Sequence, residues 1–474
     1  MTVKFGTSGL RGLSTDLLGS VSALYSTAFA RHMLESGALT SGAPIVIGRD
    51  FRPSSPDISA TIMAAMKRLG LHPIDCGTIP TPALALYGAS IGAAGIMVTG
   101  SHIPADRNGI KFYRPDGEIN KADEDAITRI ARDLKEDIEA NRVEAGSGDD
   151  READATRLFI DRNLGILAPD GLKGKRIGVY QHSSVARDML VTVFEQCGAT
   201  VFPLGRSEEF IPVDTEAVSA DTVAQLAKWT DELALDAVLS TDGDGDRPLV
   251  ADEHGVPLRG DLLGLIVSRF LGAKVVATPV TSNSGLEQDG GFAVRRTRVG
   301  SPFVIAAMEE ALAAGEKSVL GFEANGGLML GSDFTLGEKS ITALPTRDSF
   351  LPALAVLGTA AKRGLSLSQL VEDFSLPVAL SDRLENYASE RSTSLMAHLR
   401  ASREQLSAFL APLGEVATVS DIDGLRVTLI DGRVIHFRPS GNAPEMRCYV
   451  EAADKASAAS LLEDGLSLLG RWSV

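Results

Sequence analysis

Cysteine is scarce and odd in number: Cys76, Cys197 and Cys448 are its three occurrences in 474 residues. Their wide separation suggests neither a disulfide framework nor a zinc site. An excess of basic charge is missing as well. Lys and Arg total 46 against 62 Asp and Glu, a formal charge of −16, which argues against nucleic acid as a partner because such binding needs a basic footprint. An anionic ligand would have to be met by a local concentration of Arg and Lys working against the overall field. Long hydrophobic runs are absent too. The longest, Leu262 to Val280, is interrupted by Arg269 and Lys274, so no membrane span is expected. The opening Met1-Thr2-Val3-Lys4-Phe5-Gly6 carries no apolar signal region, which makes the cytoplasm the expected compartment. What is left is an ordinary globular composition without low-complexity tracts.

At roughly 100–200 residues per domain, the length predicts two to four units, each able to bury its own core. Strand-like and helix-like segments alternate over the first three-quarters of the chain. Ile45-Val46-Ile47-Gly48 reads as strand, Asp57 to Leu69 as helix, and the region of Pro73-Ile74-Asp75 as strand again. Arg176 to Tyr180, a helix ending near Gln196 and Thr200 to Phe202 make a second round. A third follows with a helical Leu262 to Phe270, then Lys274 to Thr278, a helix over Val304 to Ala314 and the strand Ser318 to Gly321. This alternation predicts βαβ units. It looks like three similar α/β units, without residue-level self-similarity that would establish a repeat. The polar, acidic stretch Glu144 to Ala155 reads as a linker, and a second boundary falls near Leu376-Pro377. Beyond it the pattern changes to a helical Leu395 to Leu410 and the strands Leu425 to Ile430, Val434 to Phe437 and Met446 to Glu451. Asp431-Gly432 between two of these strands is a hairpin signal. The last segment therefore reads as a smaller α+β domain with antiparallel strands.

Five loops are built for chemistry. In Thr99-Gly100-Ser101-His102-Ile103-Pro104, a serine directly follows the short apolar run Ala93 to Val98, with Lys111 ten positions later. A hydroxyl at the carboxyl end of a buried strand projects where open α/β sheets bind ligands; alone, the same residues would pass for a surface turn. Ser240-Thr241-Asp242-Gly243-Asp244-Gly245-Asp246-Arg247-Pro248 places three carboxylates at alternate positions, which repel one another unless a cation neutralises them. The glycines let the backbone curl so that the oxygens converge, and hard oxygen ligands suit Mg²⁺. An EF-hand is disfavoured, because Arg247 stands where that loop requires Gly and the preceding Ala237-Val238-Leu239 reads as strand. Arg438-Pro439-Ser440-Gly441-Asn442-Ala443-Pro444 joins two strands and offers backbone N–H groups plus a guanidinium to an anion. An ordinary hairpin loop is an equal alternative. Gly6-Thr7-Ser8-Gly9-Leu10-Arg11-Gly12 has similar composition. Finally, Gly321-Phe322-Glu323-Ala324-Asn325-Gly326-Gly327 sets a carboxylate and an amide two residues apart, able to meet vicinal sugar hydroxyls or to serve as caps and turns.

These loops, in this order and over nearly the whole chain, resemble the α-D-phosphohexomutase family, on its phosphomannomutase and phosphoglucomutase side. The resemblance implies three similar mixed-sheet α/β domains and a C-terminal α+β domain of TATA-binding-protein-like topology around a central cleft. On this chain they would be 1–150, 151–256, 257–376 and 377–474. It implies that Ser101 is the phosphorylated serine and completes an Mg²⁺ shell with Asp242, Asp244 and Asp246. His102 would lie beside it, with Lys111 as candidate general acid/base. Arg11 and Arg247 would stabilise phosphoryl charge, and Glu323 and Asn325 would grip sugar hydroxyls. Arg438, Ser440, Gly441 and Asn442 would hold the non-reacting phosphate. The expected reaction moves a phosphoryl group between O6 and O1 of a hexose phosphate through a hexose 1,6-bisphosphate, with mannose phosphates favoured and glucose phosphates also accepted. Rival readings are a phosphoglucosamine mutase, a non-catalytic sugar-phosphate binding protein and a Mg²⁺-dependent phosphatase. Departures from the family pattern are Asn325 where many members have Ser, no His after Gly326, and Ile103 in place of Asn. Arg298 and Ser301 fall near a further substrate contact of the family.

Overall fold

The computed structural model describes residues 3–6, 9–139, 144–289, 291–337, 339–440 and 444–473. The chain forms two compact units, Met1–Val276 with Gly300–Asp373, and Ala277–Val299 with Phe374–Val474.

The first unit is layered α/β. Its largest sheet has the order Lys4–Phe5, Leu10–Leu13, Arg107–Arg114, Ala94–Val98, Pro44–Arg49, His72–Thr78 and Asp149–Asp150. From Ala94–Val98 to Asp149–Asp150 neighbours run parallel, whereas Arg107–Arg114 turns back antiparallel to Ala94–Val98. The sheet is therefore mixed. Ile45, Val46 and Ile47 are all fully buried, which is why that strand reads as a continuous apolar run and not as an alternation. One core cluster of this unit joins Phe29, Ile62 and Met66 to Phe112, whose ring lies 4.9 Å from that of Phe29. Fully burying side chains of this size contributes about 1.5–3 kcal/mol each.

A second sheet repeats the plan with the order Thr200–Arg206, Arg176–His182, Ala237–Thr241 and Pro248–Ala251. Its central strand is parallel to both neighbours, and the last strand returns antiparallel. That is the arrangement of His72–Thr78, Pro44–Arg49, Ala94–Val98 and Arg107–Arg114 in the first sheet. In a third sheet Val319–Phe322 is again followed by an antiparallel partner, Leu328–Leu330, with Leu344–Asp348 beyond it.

In the second unit five antiparallel strands follow the order Val378–Leu384, Met446–Ala452, Val434–Pro439, Leu425–Leu429 and Val416–Ser420. Their buried residues, among them Val427, Leu429, Ile435, Phe437, Cys448 and Val450, form one core cluster with Leu395, Leu406 and Leu461 from the helices. The Asp431-Gly432 hairpin is present: Gly432 adopts φ 87°, a conformation glycine takes without steric cost.

Two expectations are corrected. The stretch 144–155 is not a linker throughout, because Asp149–Asp150 pairs with Ile74 and Asp75 at the sheet edge and Glu152–Leu164 is helix. Edge pairing uses backbone groups alone, so an acidic composition does not forbid it. The helix over Leu395 to Leu410 is two helices, Ser389–Ala401 and Arg403–Leu410. They break at Ser402, which is extended at φ −157° and accepts the N–H of Gln405 as an N-cap. Among the described residues no helix is long and apolar enough to cross a membrane.

Candidate active site

Three of the five chemistry-bearing loops occupy one topological position. The serine loop links Ala94–Val98 to Arg107–Arg114, the aspartate loop links Ala237–Thr241 to Pro248–Ala251, and the Glu323 loop links Val319–Phe322 to Leu328–Leu330. Each is the turn from a fully buried strand into its antiparallel neighbour. All three lie in the first unit.

Ser101 sits in the left-handed region at φ 54°, a conformation that costs a residue with a Cβ about 1–2 kcal/mol. Its surroundings enforce it. The Ser101 N–H donates to Thr99 Oγ1 at 2.8 Å, and that hydroxyl donates to Asp50 Oδ2 at 2.8 Å. The Ser101 hydroxyl, 1% exposed as a residue, donates to Asp242 Oδ2 at 2.5 Å. His102 Nδ1 lies 3.3 Å from the same oxygen. Burial, reinforced by the charge of Arg247, pushes the His102 imidazole down to about 3, so it is neutral at physiological pH.

Asp242, Asp244 and Asp246 are completely buried, and each offers a carboxylate oxygen within 4.8 Å of the others. Lys111 Nζ bridges two of them, at 2.5 Å from Asp244 and 2.6 Å from Asp246. Thr81 Oγ1 donates to Asp244 at 2.6 Å. Burial and the neighbouring Asp244 and Asp246 charges push the Asp242 carboxyl well above its usual range. Burial also works against ionised Asp244 and Asp246, but Lys111 holds the first and Arg347 the second below the usual range. Burial lowers Lys111, yet Asp244 and Asp246 outweigh it and keep the ammonium charged. The carboxylate set fits a divalent metal on one specific ground. Asp244 Oδ1 and Asp246 Oδ1 are buried without a hydrogen-bond partner, a costly state that a hard cation relieves.

Buried cations surround this trio. Arg247 is 9% exposed and Arg347 is 3% exposed. Burial, then the charges of Arg247 and Arg347, bring Arg11 down to about 10. Arg347 was not anticipated from sequence. Its Nη2 lies 2.9 Å from Asp246 and its Nη1 3.1 Å from Glu323, so it ties the aspartate loop to the Glu323 loop. The signal was a lone arginine in the strand Leu344–Asp348 beside the apolar Phe350 and Leu351. Asp50 and Arg52 were also missed, although Asp50-Phe51-Arg52-Pro53-Ser54-Ser55 is a polar cluster directly after the strand Pro44–Arg49.

The remaining expected residues are placed as follows. Glu323 and Asn325 are buried on their loop, where Asn325 Oδ1 accepts the N–H of Gly327 at 3.0 Å, so the amide carbonyl has a turn-forming role. Arg438 and Ser440 belong to the second unit. Arg438 Nε lies 3.0 Å from Asp423, and the Ser440 N–H donates to Glu445 O at 2.9 Å. Gly441 and Asn442 fall outside the described residues, as do Thr7 and Ser8 of the N-terminal loop. Arg298 belongs to the second unit, whereas Ser301 opens a helix of the first and donates to Glu118 at 3.0 Å.

Transfer of a phosphoryl group asks a protein mainly for fixed geometry and for charge stabilisation of the equatorial oxygens. A rigidly held hydroxyl facing a cation-seeking carboxylate trio, with guanidinium groups buried around both, meets that demand and places the first unit among phosphotransferases. Profiles of phosphoglucomutase/phosphomannomutase domains I, II, III and C-terminal match residues 2–137, 160–255, 259–376 and 395–466. A phosphomannomutase of Sinorhizobium fredii is 59% identical over 469 residues, covering 99% of each chain. One of Salmonella muenchen is 43% identical over 98% of this chain and 95% of its own. The chain therefore belongs to the phosphoglucomutase/phosphomannomutase family of intramolecular phosphotransferases. The crystal structure of a phosphoglucomutase/phosphomannomutase family protein from Burkholderia thailandensis shares the fold, with a TM-score of 0.77 at 21% identity over 98% of this chain and 96% of that one.

Proposed function

We propose that the chain interconverts mannose 6-phosphate and mannose 1-phosphate, with glucose phosphates as further substrates, and that Ser101 is the phosphoryl carrier. The observation that carries this reading is the Ser101 hydroxyl held 2.5 Å from Asp242, within a buried trio of aspartates. The two relatives named phosphomannomutase support mannose as the preferred sugar.

In this reading phosphorylated Ser101 gives its phosphoryl group to the free hydroxyl of a hexose monophosphate. The bond from phosphorus to Ser101 Oγ breaks, a bond to the sugar oxygen forms, and the product is the hexose 1,6-bisphosphate. Its other phosphate then returns to Ser101, leaving the isomeric monophosphate. Lys111, held charged beside the aspartates, protonates the departing oxygen and in its neutral form accepts the proton of the attacking hydroxyl. Arg11 and Arg247 share the charge of the moving group. Asp242, Asp244 and Asp246 would hold Mg²⁺, which when bound would neutralise charge on the phosphoryl oxygens. Glu323 and Asn325 contact sugar hydroxyls, the latter through its amide N–H₂ because its carbonyl oxygen is engaged. Arg438 and Ser440, with Gly441 and Asn442, receive the non-reacting phosphate. Hexose phosphates are the small-molecule partners in this reading, and the cytoplasm is its compartment.

Turnover of mannose, glucose and glucosamine 1-phosphates, with a hexose 1,6-bisphosphate as activator, tests the assignment. Ser101→Ala is expected to abolish turnover, and intact mass is expected to show a serine-linked phosphate that sugar phosphate removes. Wild-type rates in Ser101→Ala, or dominant glucosamine activity, would overturn the proposal. Net phosphate release without isomer formation would point to a phosphatase instead.

A further inference from the structure

Arg52 is buried beneath the serine loop. Its guanidinium is inaccessible to solvent, and each of its five N–H donors has an acceptor. Nε donates to Asp50 Oδ2 at 3.1 Å. Nη1 donates to the carbonyls of Pro104 at 2.6 Å and Arg107 at 2.8 Å. Nη2 donates to those of Ser101 at 3.0 Å and Ile103 at 2.7 Å. Four of the five bonds therefore hold the backbone that carries Ser101. The loop packs against the guanidinium: a Cβ at Gly100 would stand 2.7 Å from Arg52 Cζ, closer than a real Cβ comes to a non-bonded heavy atom.

Arg52 also faces the second sheet. The Phe210 ring, from the segment after Thr200–Arg206, stacks with its centroid 4.0 Å from Arg52 Cζ. The same ring covers Gly243 of the aspartate loop, where a Cβ would lie 3.0 Å from it and 2.9 Å from the Ser101 carbonyl oxygen. A reciprocal pair stands beside it. Arg187, in the helix after the strand Arg176–His182, lies 4.3 Å over the ring of Phe51, the residue preceding Arg52. Arg187 in turn donates to the carbonyls of His182 at 3.1 Å and Ser207 at 2.9 Å. His182 Nε2 donates to the carbonyl of Thr241, next to Asp242, at 2.9 Å. Each sheet thus lends an arginine to an aromatic ring of the other, and each arginine is anchored to the backbone of its own active loop or that loop's support.

We infer that Arg52 is a positioning residue that sets Ser101 Oγ against Asp242, and that the Arg52–Phe210 and Arg187–Phe51 stacks keep the serine and aspartate loops in register. The inference rests on reading Ser101 as the phosphoryl carrier. Arg52 touches no reacting atom. It fixes a serine whose backbone is held in a disfavoured conformation, and a misplacement near 1 Å in such a site costs about a hundredfold in rate. A lysine would keep the charge beside Asp50 but cannot direct a planar fork at four carbonyls.

The test compares wild type, Arg52→Lys, Arg52→Ala, Phe210→Leu and the Phe210→Leu/Arg52→Lys double variant in steady-state mutase kinetics. For Arg52→Lys, kcat is expected to fall at least about tenfold while KM stays within about twofold, because the sugar-gripping loop is untouched. Added guanidinium is expected to restore part of the kcat of Arg52→Ala, which a loss of folded protein would not allow. Phe210→Leu retains apolar volume and loses the π face, and its kcat is expected to fall about threefold or more. In the double variant the two losses should be less than multiplicative. Arg52→Lys with kcat within twofold of wild type overturns the inference, as does a Phe210→Leu loss that simply multiplies that of Arg52→Lys. Absence of mutase turnover in the wild type would instead overturn the proposed function.

Discussion

Arg347→Met removes the guanidinium that joins the aspartate loop to the Glu323 loop, and its consequence can be worked from the geometry. Arg347 lies 2.9 Å from Asp246 through Nη2, 3.0 Å through Nε and 3.1 Å from Glu323 through Nη1. The side chains of Arg347, Asp246 and Glu323 are 3%, 1% and 5% exposed, so solvent cannot take over the lost interactions. Breaking a buried pair by deleting one partner costs about 3–5 kcal/mol. Asp246 keeps Lys111 at 2.6 Å, so Glu323 bears most of the loss and the expected cost is about 4 kcal/mol. Methionine fills comparable volume, which keeps a cavity term out of the measurement. The two tryptophans fall one in each unit, Trp229 and Trp472. In a Trp472→Phe background the fluorescence of Trp229, packed 5.2 Å from Tyr180, reports the first unit during urea unfolding. Only the smaller, Asp246 part of the loss should shrink on adding Mg²⁺ and return with a chelator, because a cation at the trio compensates Asp246 and leaves Glu323, which bears most of the loss. A loss below about 1 kcal/mol with and without Mg²⁺ would refute the reasoning, since the fork would then not be balancing those buried charges.

Two further outcomes follow from single residues. His436 lies in the second unit, donates through Nε2 to Asp423 O at 2.6 Å and stacks on Tyr449. Burial lowers its imidazole from 6.5 to about 4 even though the bond to Asp423 acts the other way. The unfolded chain therefore takes up the proton first as pH falls. Stability is full above pH 6.5 and is lost progressively down to about pH 4, by about 3 kcal/mol in all. Urea midpoints followed by Trp472 in a Trp229→Phe background should show a steeper loss between these pH values than His436→Gln does, and equal slopes would refute the assignment. Gly260→Ala would set a Cβ 2.1 Å from Gly326 N and 2.4 Å from Ala324 O, both backbone atoms of the Glu323 loop. The loop must shift, so KM for the hexose phosphate should rise about tenfold with a lowered thermal midpoint; an unchanged KM would count against placing sugar contacts on that loop.

Local signals were legible wherever chemistry was confined to adjacent residues. The aspartate trio announces itself because three carboxylates within five positions need a cation whatever the fold. The strands Pro44–Arg49 and Ala237–Thr241 are visible as short apolar runs because both of their faces are covered. Arg347 was not legible: its meaning lies in Asp246, separated from it by 101 positions, and one arginine in a strand has no pattern of its own. The same holds for Arg52, whose acceptors at Ser101, Ile103, Pro104 and Arg107 are 49 to 55 positions away and are all backbone carbonyls, which any residue supplies. The edge strand Asp149–Asp150 was hidden for a related reason, since its pairing uses main-chain groups and leaves no trace in side-chain composition.

The repeat explains why local legibility nevertheless sufficed to find the centre of the site. Sheet order is set by which segments are strands and how long their connections are, not by residue identity, so three sheets can share a plan without detectable sequence similarity. In each, a buried strand ends in a short turn to an antiparallel neighbour. Such a turn has to leave the apolar layer, which frees it to carry polar groups. Serine, aspartates and glutamate then occupy corresponding turns of different sheets. Each turn is readable by itself, whereas the arginines that tie them together, Arg52 to the serine turn and Arg347 to the other two, become visible only when the sheets are assembled. Substitutions in the turns should therefore act mainly on chemistry, and substitutions of these arginines on both chemistry and the geometry that links one turn to the next.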